Sequence, residues 1–201
     1  MSPRAQSTGR LVLVRHGETQ WSRTGRHTGL TDVSLTAAGE EDARSVGPLL
    51  ADFTFALVLS SPLTRALRTA ELAGLTPTVD ADLVEWDYGG YEGRTTDEIR
   101  ASLGDPTWTV FDDGVVPGDT PGETVEEVAA RASRVLVRTA EPLRTADVAL
   151  VAHGHLLRVL TATWLRQDAR FGACLLLDAG ALCVLGHEHG VPAIRAWNRT
   201  A

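Results

Sequence analysis

The strongest constraint in this chain is the run Leu11-Val12-Leu13-Val14, which ends abruptly in Arg15-His16-Gly17-Glu18-Thr19. A short apolar run of this kind reads as a strand buried on both faces. Arg15 and His16 then emerge at its carboxyl end, where open α/β sheets place their ligand sites. The run is too short for a signal-peptide core or a membrane span, and it follows a polar Ser/Arg/Gln/Thr leader. A soluble, cytoplasmic protein is expected.

Buried strands and amphipathic helices alternate through the rest of the chain. Thr36 reads as the N-cap of a helix carrying Ala43, Val46, Gly47 and Leu50 at spacings of three and four. Ala56 to Leu59 is a second predicted buried strand, ending at Ser60-Ser61-Pro62. There Ser61 is expected to cap and Pro62 to take the first helical position, so that Arg65 falls near the start of a helix with Leu63, Ala66, Leu67 and Ala70 inward. Val79 to Leu83 is a predicted third strand, followed by a loop over Glu85-Trp86-Asp87-Tyr88-Gly89-Gly90. Thr95 to Leu103 reads as a short helix, and an irregular segment runs on to Gly122. Thr124 and Glu127 form a capping pair ahead of Val125, Val128, Ala129, Ala132, Val135 and Leu136. Val148 to Ala152 is another buried strand, and His153-Gly154-His155 opens a helix at its end. Ala173 to Leu177 and Leu182 to Leu185 read as a hairpin around Asp178-Ala179-Gly180, with a last strand near Ala193 to Trp197. The pattern predicts an α/β fold, a three-layer α/β/α sandwich whose central sheet is mostly parallel with an antiparallel element late in the chain. No linker, repeat or low-complexity tract divides the 201 residues, so a single domain over 1–201 is expected.

Net charge is −7, which argues against nucleic acid or an anionic membrane as a partner held by bulk charge. All 19 basic residues are arginines, which excludes Schiff-base chemistry or an essential P-loop lysine supplied by this chain. Cys174 and Cys183 match neither a zinc spacing nor a disulfide framework. The pairs His153/His155 and His187/His189 raise a metal-dependent hydrolase. Against it, Gly186-His187-Glu188-His189-Gly190 reads as an exposed turn and no carboxylate pair accompanies the histidines.

Arg15-His16-Gly17-Glu18-Thr19, Ser60-Ser61-Pro62 with Arg65, Glu85 with Tyr88-Gly89 and Glu92-Gly93, and His153-Gly154 stand in this order along nearly the whole chain. In these four motifs the chain resembles the histidine phosphatase superfamily, the phosphoglycerate-mutase-like group. The resemblance implies that His16 is the nucleophile and forms a phosphohistidine by in-line attack. It implies that Arg15, Arg65 and His153 hold the equatorial phosphate oxygens, and that Glu85 protonates the leaving oxygen and later takes a proton from water. Thr19, Ser22, Thr28, Gly29 and Tyr88 are implied substrate contacts, Ser22 standing where the family commonly has asparagine. Gly154 belongs to the last motif, and His155, with Arg158 one turn further on, is placed to reach the substrate. Neither a cofactor nor a metal is implied; the expected partner is a small phosphorylated metabolite, and assembly into a homo-oligomer is left open.

The chemistry of these residue types agrees with the roles. A nucleophilic imidazole needs one unprotonated nitrogen facing the substrate and the other fixed by a hydrogen bond. Arginine forks match phosphate oxygens and stay charged. A glutamic acid that donates a proton near neutrality needs a raised pKa, for which Trp86 and Tyr88 offer partial desolvation, opposed by the nearby cations.

Among branches of the group, Gly25 to Leu35, Glu85 to Gly93 and His153-Gly154-His155 look most like the bacterial acid phosphatases, and the last of these together with Leu177-Asp178-Ala179-Gly180 is similar to the sugar bisphosphatases. A phosphoglycerate mutase is the alternative. Mutases carry extra basic residues between the Glu motif and the last His motif, whereas here none occurs between Arg100 and Arg131. Trp86 also stands where mutases have a basic residue after the acid/base Glu. An idle phosphosugar-binding module would keep the arginines but lose His16 or Glu85, and both are present. Arg23, Arg26, His27, His155 and Arg158 are candidates for a second phosphate, and Trp108, Phe111 and Val115 for an apolar lid.

Overall fold

The computed structural model describes residues 9–200; the polar leader ahead of them lies outside the described residues. Strand β1 (Leu11–Arg15) is followed by a single turn α1 (Gln20–Arg23) and helix α2 (Ala37–Leu49). Then come β2 (Phe55–Ser60), α3 (Thr64–Leu72), β3 (Thr78–Val79), α4 (Thr96–Leu103) and α5 (Val125–Thr139). The chain finishes with β4 (Asp147–Ala152), α6 (Gly154–Trp164), β5 (Leu182–Glu188) and β6 (Val191–Arg199).

The strands form one six-stranded sheet in the order β3-β2-β4-β1-β5-β6. β3, β2, β4 and β1 pair in parallel, while β5 and β6 join antiparallel at the far side. The expected three layers follow from side-chain alternation along the central strands. Val12 and Val14 pack with Val46 of α2 and Ala66 and Ala70 of α3 on one face. Leu11 and Leu13 pack with Val128, Ala132 and Val135 of α5 and Leu156 and Leu160 of α6 on the other. The helix starts are as expected where capping residues announce them: Thr36 accepts from the N–H of Gly39, and Thr95/Glu98 and Thr124/Glu127 both form reciprocal capping boxes.

Several local expectations are corrected. The third strand is only Thr78–Val79, and Ala81–Leu83 is a 3-10 turn because the Asp80 side chain accepts from the N–H of Asp82 and bends the chain. The late hairpin is β5–β6, not a pairing of 173–177 with 182–185. Ala169–Cys174 is a 3-10 turn, and the hairpin's reversal falls at His189 and Gly190, both with positive φ (48° and 80°), as a two-residue hairpin loop requires. Gly186 and His187 therefore belong to β5. α3 begins at Thr64 with Leu63 as N-cap, and Ser61 accepts from the N–H of Leu63 without capping the helix itself. Its buried face is Arg65, Ala66, Thr69 and Ala70, with Leu63 and Leu67 only half-buried. β2 is buried only at Leu59 and Ser60, since the two-residue β3 covers little of it.

Parallel pairing carries the carboxyl ends of β1, β2 and β4 to one edge. The N–H of His16 and that of Ser61 bond to Ala152 and Val151 of β4, each at 3.0 Å, so the three strand ends are in register where the chain leaves the sheet.

Candidate active site

His16 leaves β1 almost fully buried, at 4% exposure. Its Nδ1 lies 2.7 Å from the carbonyl oxygen of Gly17, an acceptor only, so Nδ1 carries the proton and Nε2 keeps its lone pair. Burial first, then Arg15 and Arg65, hold the imidazole pKa well below the ordinary histidine value. The ring is thus neutral at physiological pH, with its basic nitrogen fixed by geometry.

Arg15 donates through Nη1 to the carbonyl of Leu177, which ties the end of β1 to the segment before β5. Its Nε is buried without a hydrogen-bond partner, beside Gly154, where an added Cβ would lie 3.3 Å from Nε and Cζ. A buried donor of this kind needs an acceptor.

Arg65 is fully buried on α3. Its Nη1 donates to Thr31 O (2.8 Å), its Nη2 to Gly29 O (2.8 Å) and Thr28 O (3.1 Å), and its Nε to His153 Nδ1 (3.2 Å). His153 in turn donates from Nε2 to Ser61 Oγ at 2.8 Å. Its ring meets that of His16 edge-on, centroids 5.2 Å apart. Burial first, then Arg65, depresses the His153 pKa far below normal, so this ring is neutral as well. Arg65 and His153 therefore stand behind His16. One guanidinium N–H of Arg65 remains for a ligand, and His153 reaches a phosphate oxygen only by exchanging one of its present partners.

Glu85 comes from the loop after β3 and is 5% exposed. Oε2 accepts from the N–H of His155 (3.0 Å) and Oε1 from those of Leu156 (2.8 Å) and Trp86 (2.9 Å). The N-cap of α6, His153, makes no side-chain cap bond. The Glu85 carboxyl takes that place, accepting from orphan N–H groups of the first turn of the helix.

Tyr88 and His155 complete the wall. The Tyr88 hydroxyl lies 2.5 Å from His155 Nδ1. Burial, then Arg158, keeps His155 far below its normal pKa, and burial, then Glu85, keeps the phenol well above its own. Between two neutral groups the phenol is the stronger donor and the imidazole nitrogen the stronger acceptor, so the geometry fits the hydroxyl donating and Nε2 of His155 carrying the ring proton. His27, also held neutral by burial, donates from Nδ1 to Arg94 O at 2.9 Å and packs edge-on to Tyr88.

These residues surround a cleft of about 190 Å³, lined among others by Arg15, His16, Ser22, Thr28, Glu85, Tyr88, Gly154, His155 and Arg158. Arg65, His153, Thr19 and Gly29 lie off this lining, against expectation: Arg65 and His153 are fully buried, bonded to each other and to Thr28, Gly29, Thr31 and Ser61. The Thr19 side chain is buried as the N-cap of α1, in a reciprocal box with Ser22, and buried Gly29 offers its N–H to Glu92 and its carbonyl to Arg65. Among the second-phosphate candidates, Arg26, His27, His155 and Arg158 line the cleft, whereas Arg23 pairs with Glu18 outside it. Leu177, from the segment similar to the sugar bisphosphatases, also lines it, as does Thr96, which no sequence signal marked. Trp108, Phe111 and Val115 are not a lid: none lines the cleft, and Val115 is half-buried against the core. Trp108 and Phe111 are both 3% exposed, Trp108 packed on Tyr91 and Phe111 on Trp86 and His155.

Because β5 runs antiparallel to β1, His187 lies beyond the start of β1, at the end of the sheet opposite His16. The two His-x-His pairs therefore share no site. No group of three or more His, Cys, Asp or Glu among the described residues is arranged to hold a metal ion.

The model of the histidine phosphatase superfamily (branch 1) matches residues 11–200. This chain belongs to that superfamily. It is 41% identical to an acid phosphatase of Mycobacterium tuberculosis, over 90% of this chain and 88% of the relative. A sedoheptulose 1,7-bisphosphatase of Saccharomyces cerevisiae is 35% identical over 90% of this chain and 89% of its own length. A 2,3-bisphosphoglycerate-dependent phosphoglycerate mutase of Azorhizobium caulinodans is 37% identical over 90% and 97%. The solved product of a Mycobacterium tuberculosis open reading frame superposes with a TM-score of 0.89 at 39% identity, covering 96% of this chain and 98% of that one. The chain is an enzyme of phosphomonoester hydrolysis with the phosphoglycerate-mutase-like fold.

Proposed function

We propose that hydrolysis runs in two steps through a phosphohistidine on His16 and that the substrate is a small phosphorylated metabolite, sugar-like in size. His16 Nε2 attacks phosphorus, the bond to the leaving oxygen breaks, and protonated Glu85 supplies the proton that oxygen needs. Water then attacks the phosphohistidine, Glu85 accepts its proton, and the phosphorus–nitrogen pair returns to His16. Arg15, with its unpartnered Nε, and the last free N–H of Arg65 meet the charge on the phosphoryl oxygens.

The observation that carries this reading is the Nδ1–H bond from His16 to Gly17, in a ring that burial, Arg15 and Arg65 keep neutral. It leaves a nucleophile ready without a separate base. A rapid-quench reaction with labelled substrate tests it: an acid-labile, alkali-stable phosphoenzyme is expected, absent from His16→Ala. A turnover-competent His16→Ala would sink the covalent route.

Arg26 and Arg158 on the cleft lining support substrates with a second anionic group and keep the mutase alternative in view. Release of inorganic phosphate from 3-phosphoglycerate, with no 2-phosphoglycerate formed, is expected of the hydrolase. Cys174 and Cys183 are both unpaired, which supports a reducing, cytoplasmic setting. No helix among the described residues is long and apolar enough to cross a membrane.

A further inference from the structure

Behind the loop that carries Glu85 lies a second ion pair that the sequence motifs do not mark. Arg131 on α5 is 8% exposed and meets Glu123 in a fork-to-fork pair, Nε to Oε1 at 2.7 Å and Nη2 to Oε2 at 2.8 Å. The remaining donors of Arg131 reach three carbonyls of the acid/base loop: Asp82 (2.8 Å), Val84 (3.0 Å) and Glu85 itself (3.3 Å). Glu123 grips the other side of the same loop. Its Oε2 accepts from the N–H of Asp87 (3.1 Å), its carbonyl from Trp86 Nε1 (2.8 Å), and its own N–H donates to the carbonyl of Asp87 (2.9 Å).

The backbone is thus held on both sides of residue 85. That is unusual for a loop, whose carbonyls ordinarily point to water. Replacing a buried ion pair by apolar groups is often neutral for stability, so stability alone does not account for one placed here. What the pair does determine is the position of the peptide that aims the Glu85 carboxyl, and a general acid must sit within hydrogen-bond reach of the leaving oxygen to act.

We propose that Glu123 and Arg131 are positioning residues for proton transfer: a buried clasp that holds Glu85 at the leaving-group oxygen without touching substrate. The proposal rests on the acid/base reading of Glu85 given above. The clasp also joins the acid/base loop to the irregular segment before α5. Asp87, which Glu123 grips, accepts in turn from Thr120 Oγ1 (2.5 Å) and the N–H of Gly122 (3.2 Å). Ordering of that segment and aim of the acid are therefore one mechanical unit.

The test compares Glu123→Gln and Arg131→Lys with Glu85→Gln on an alkyl phosphate and on nitrophenyl phosphate, whose leaving group needs little protonation. The readout is kcat/KM, which reports the phosphorylation step alone and not the water step common to both esters: the clasp variants are expected to lose about 10-fold or more on the alkyl ester and under about 3-fold on the nitrophenyl ester. In a Glu85→Gln background, adding Glu123→Gln should cost less than about 2-fold, because the two act through one group. A purely structural pair would slow both esters alike and multiply with Glu85→Gln, and either result overturns the proposal. If Arg131→Lys fails to fold, Glu123→Gln alone decides. A leaving-group dependence seen in Glu85→Gln but not in Glu123→Gln overturns the clasp alone. No leaving-group dependence in Glu85→Gln overturns the acid/base reading and the clasp with it.

Discussion

Glu85 takes a hydrogen bond from the backbone N–H of His155 at 3.0 Å across a sequence separation of 70 residues. The proton donor's loop and the last histidine motif are therefore one structural unit, with the carboxylate serving as the missing cap of α6. The same helix start bears Gly154 against the Arg15 guanidinium. Anion site and acid thus meet at a single backbone turn, and small changes there propagate to both.

Gly154→Ala probes that turn. The backbone at Gly154 has no positive φ, and alanine is the better helix former, so stability should hold or rise slightly. The new methyl, however, meets Arg15 at 3.3 Å, tighter than ordinary contact, and Arg15 is already tied to Leu177. The guanidinium must yield a few tenths of an ångström. Expected is a fall of about 5- to 10-fold in kcat/KM and a weaker grip on vanadate or phosphate, with the thermal midpoint unchanged. Unchanged oxyanion affinity would show that Arg15 does not seat the phosphate.

The buried histidines make stability depend on pH. In the folded chain His16, His27, His153 and His155 all have pKa values below the ordinary 6.5, chiefly through burial. The unfolded chain takes up protons as pH falls through 6.5 while the folded chain does not, so stability is full above that value and declines below it. Each histidine kept neutral contributes up to about 1.4 kcal/mol per pH unit in this window. Carboxylates with lowered pKa, such as Asp82 and Asp147, add their own loss only in more acid solution. Thermal unfolding from pH 7.5 to 5 should show a falling midpoint, with a shallower slope in His27→Gln. A flat profile would mean that these rings are protonated in the fold.

How far the sequence carried the reading follows from where each residue's signal lies. The placing of His16, Arg65, Glu85 and His153 was legible because each stands in a short local motif: two just past strand ends, one at a helix start and one in the loop after a strand. The layers were legible because Leu11 to Val14 and the α5 stripe Val125, Val128, Ala132, Val135 encode burial directly. The β5–β6 hairpin was misplaced because Asp178-Ala179-Gly180 is as good a turn signal as His189-Gly190, and only strand pairing decides between them. The lid expected of Trp108 and Phe111 failed for a related reason: apolar residues in an irregular segment mark burial, but not which surface they cover. The Glu123–Arg131 pair left no signal at all. Its bonds run largely to backbone atoms, whose positions no side-chain pattern encodes.

Tyr88→Phe isolates the hydrogen bond that sets the His155 tautomer. Without the hydroxyl, Nδ1 loses its donor and Nε2 is no longer obliged to carry the proton. Removing one partner of a buried pair costs about 1–3 kcal/mol, so a modest drop in thermal midpoint is expected. If His155 reads the body of the substrate, KM for a sugar phosphate should rise several-fold while kcat on nitrophenyl phosphate stays near the parent value. Equal losses on both substrates would place Tyr88 in the chemical step instead.

Arg158 tests the size and charge of the substrate. Its guanidinium lies over the Phe111 ring at 4.7 Å, and Nε and Nη2 donate to the carbonyls of Gly172 and Ala173 (2.9 and 3.0 Å). Nη1 has no such bond, and the residue lines the cleft. Arg158→Met keeps a long side chain over Phe111 and removes the charge. A substrate with a second phosphate should then lose about 10-fold or more in kcat/KM, through KM, while a monophosphate of the same sugar changes by less than about 2-fold. The difference should shrink as salt is raised, because it is a charge effect. Equal kinetics for the two substrates in both enzymes would mean that the cleft holds a single phosphate, and that Arg158 serves only to brace the 172–173 turn against α6.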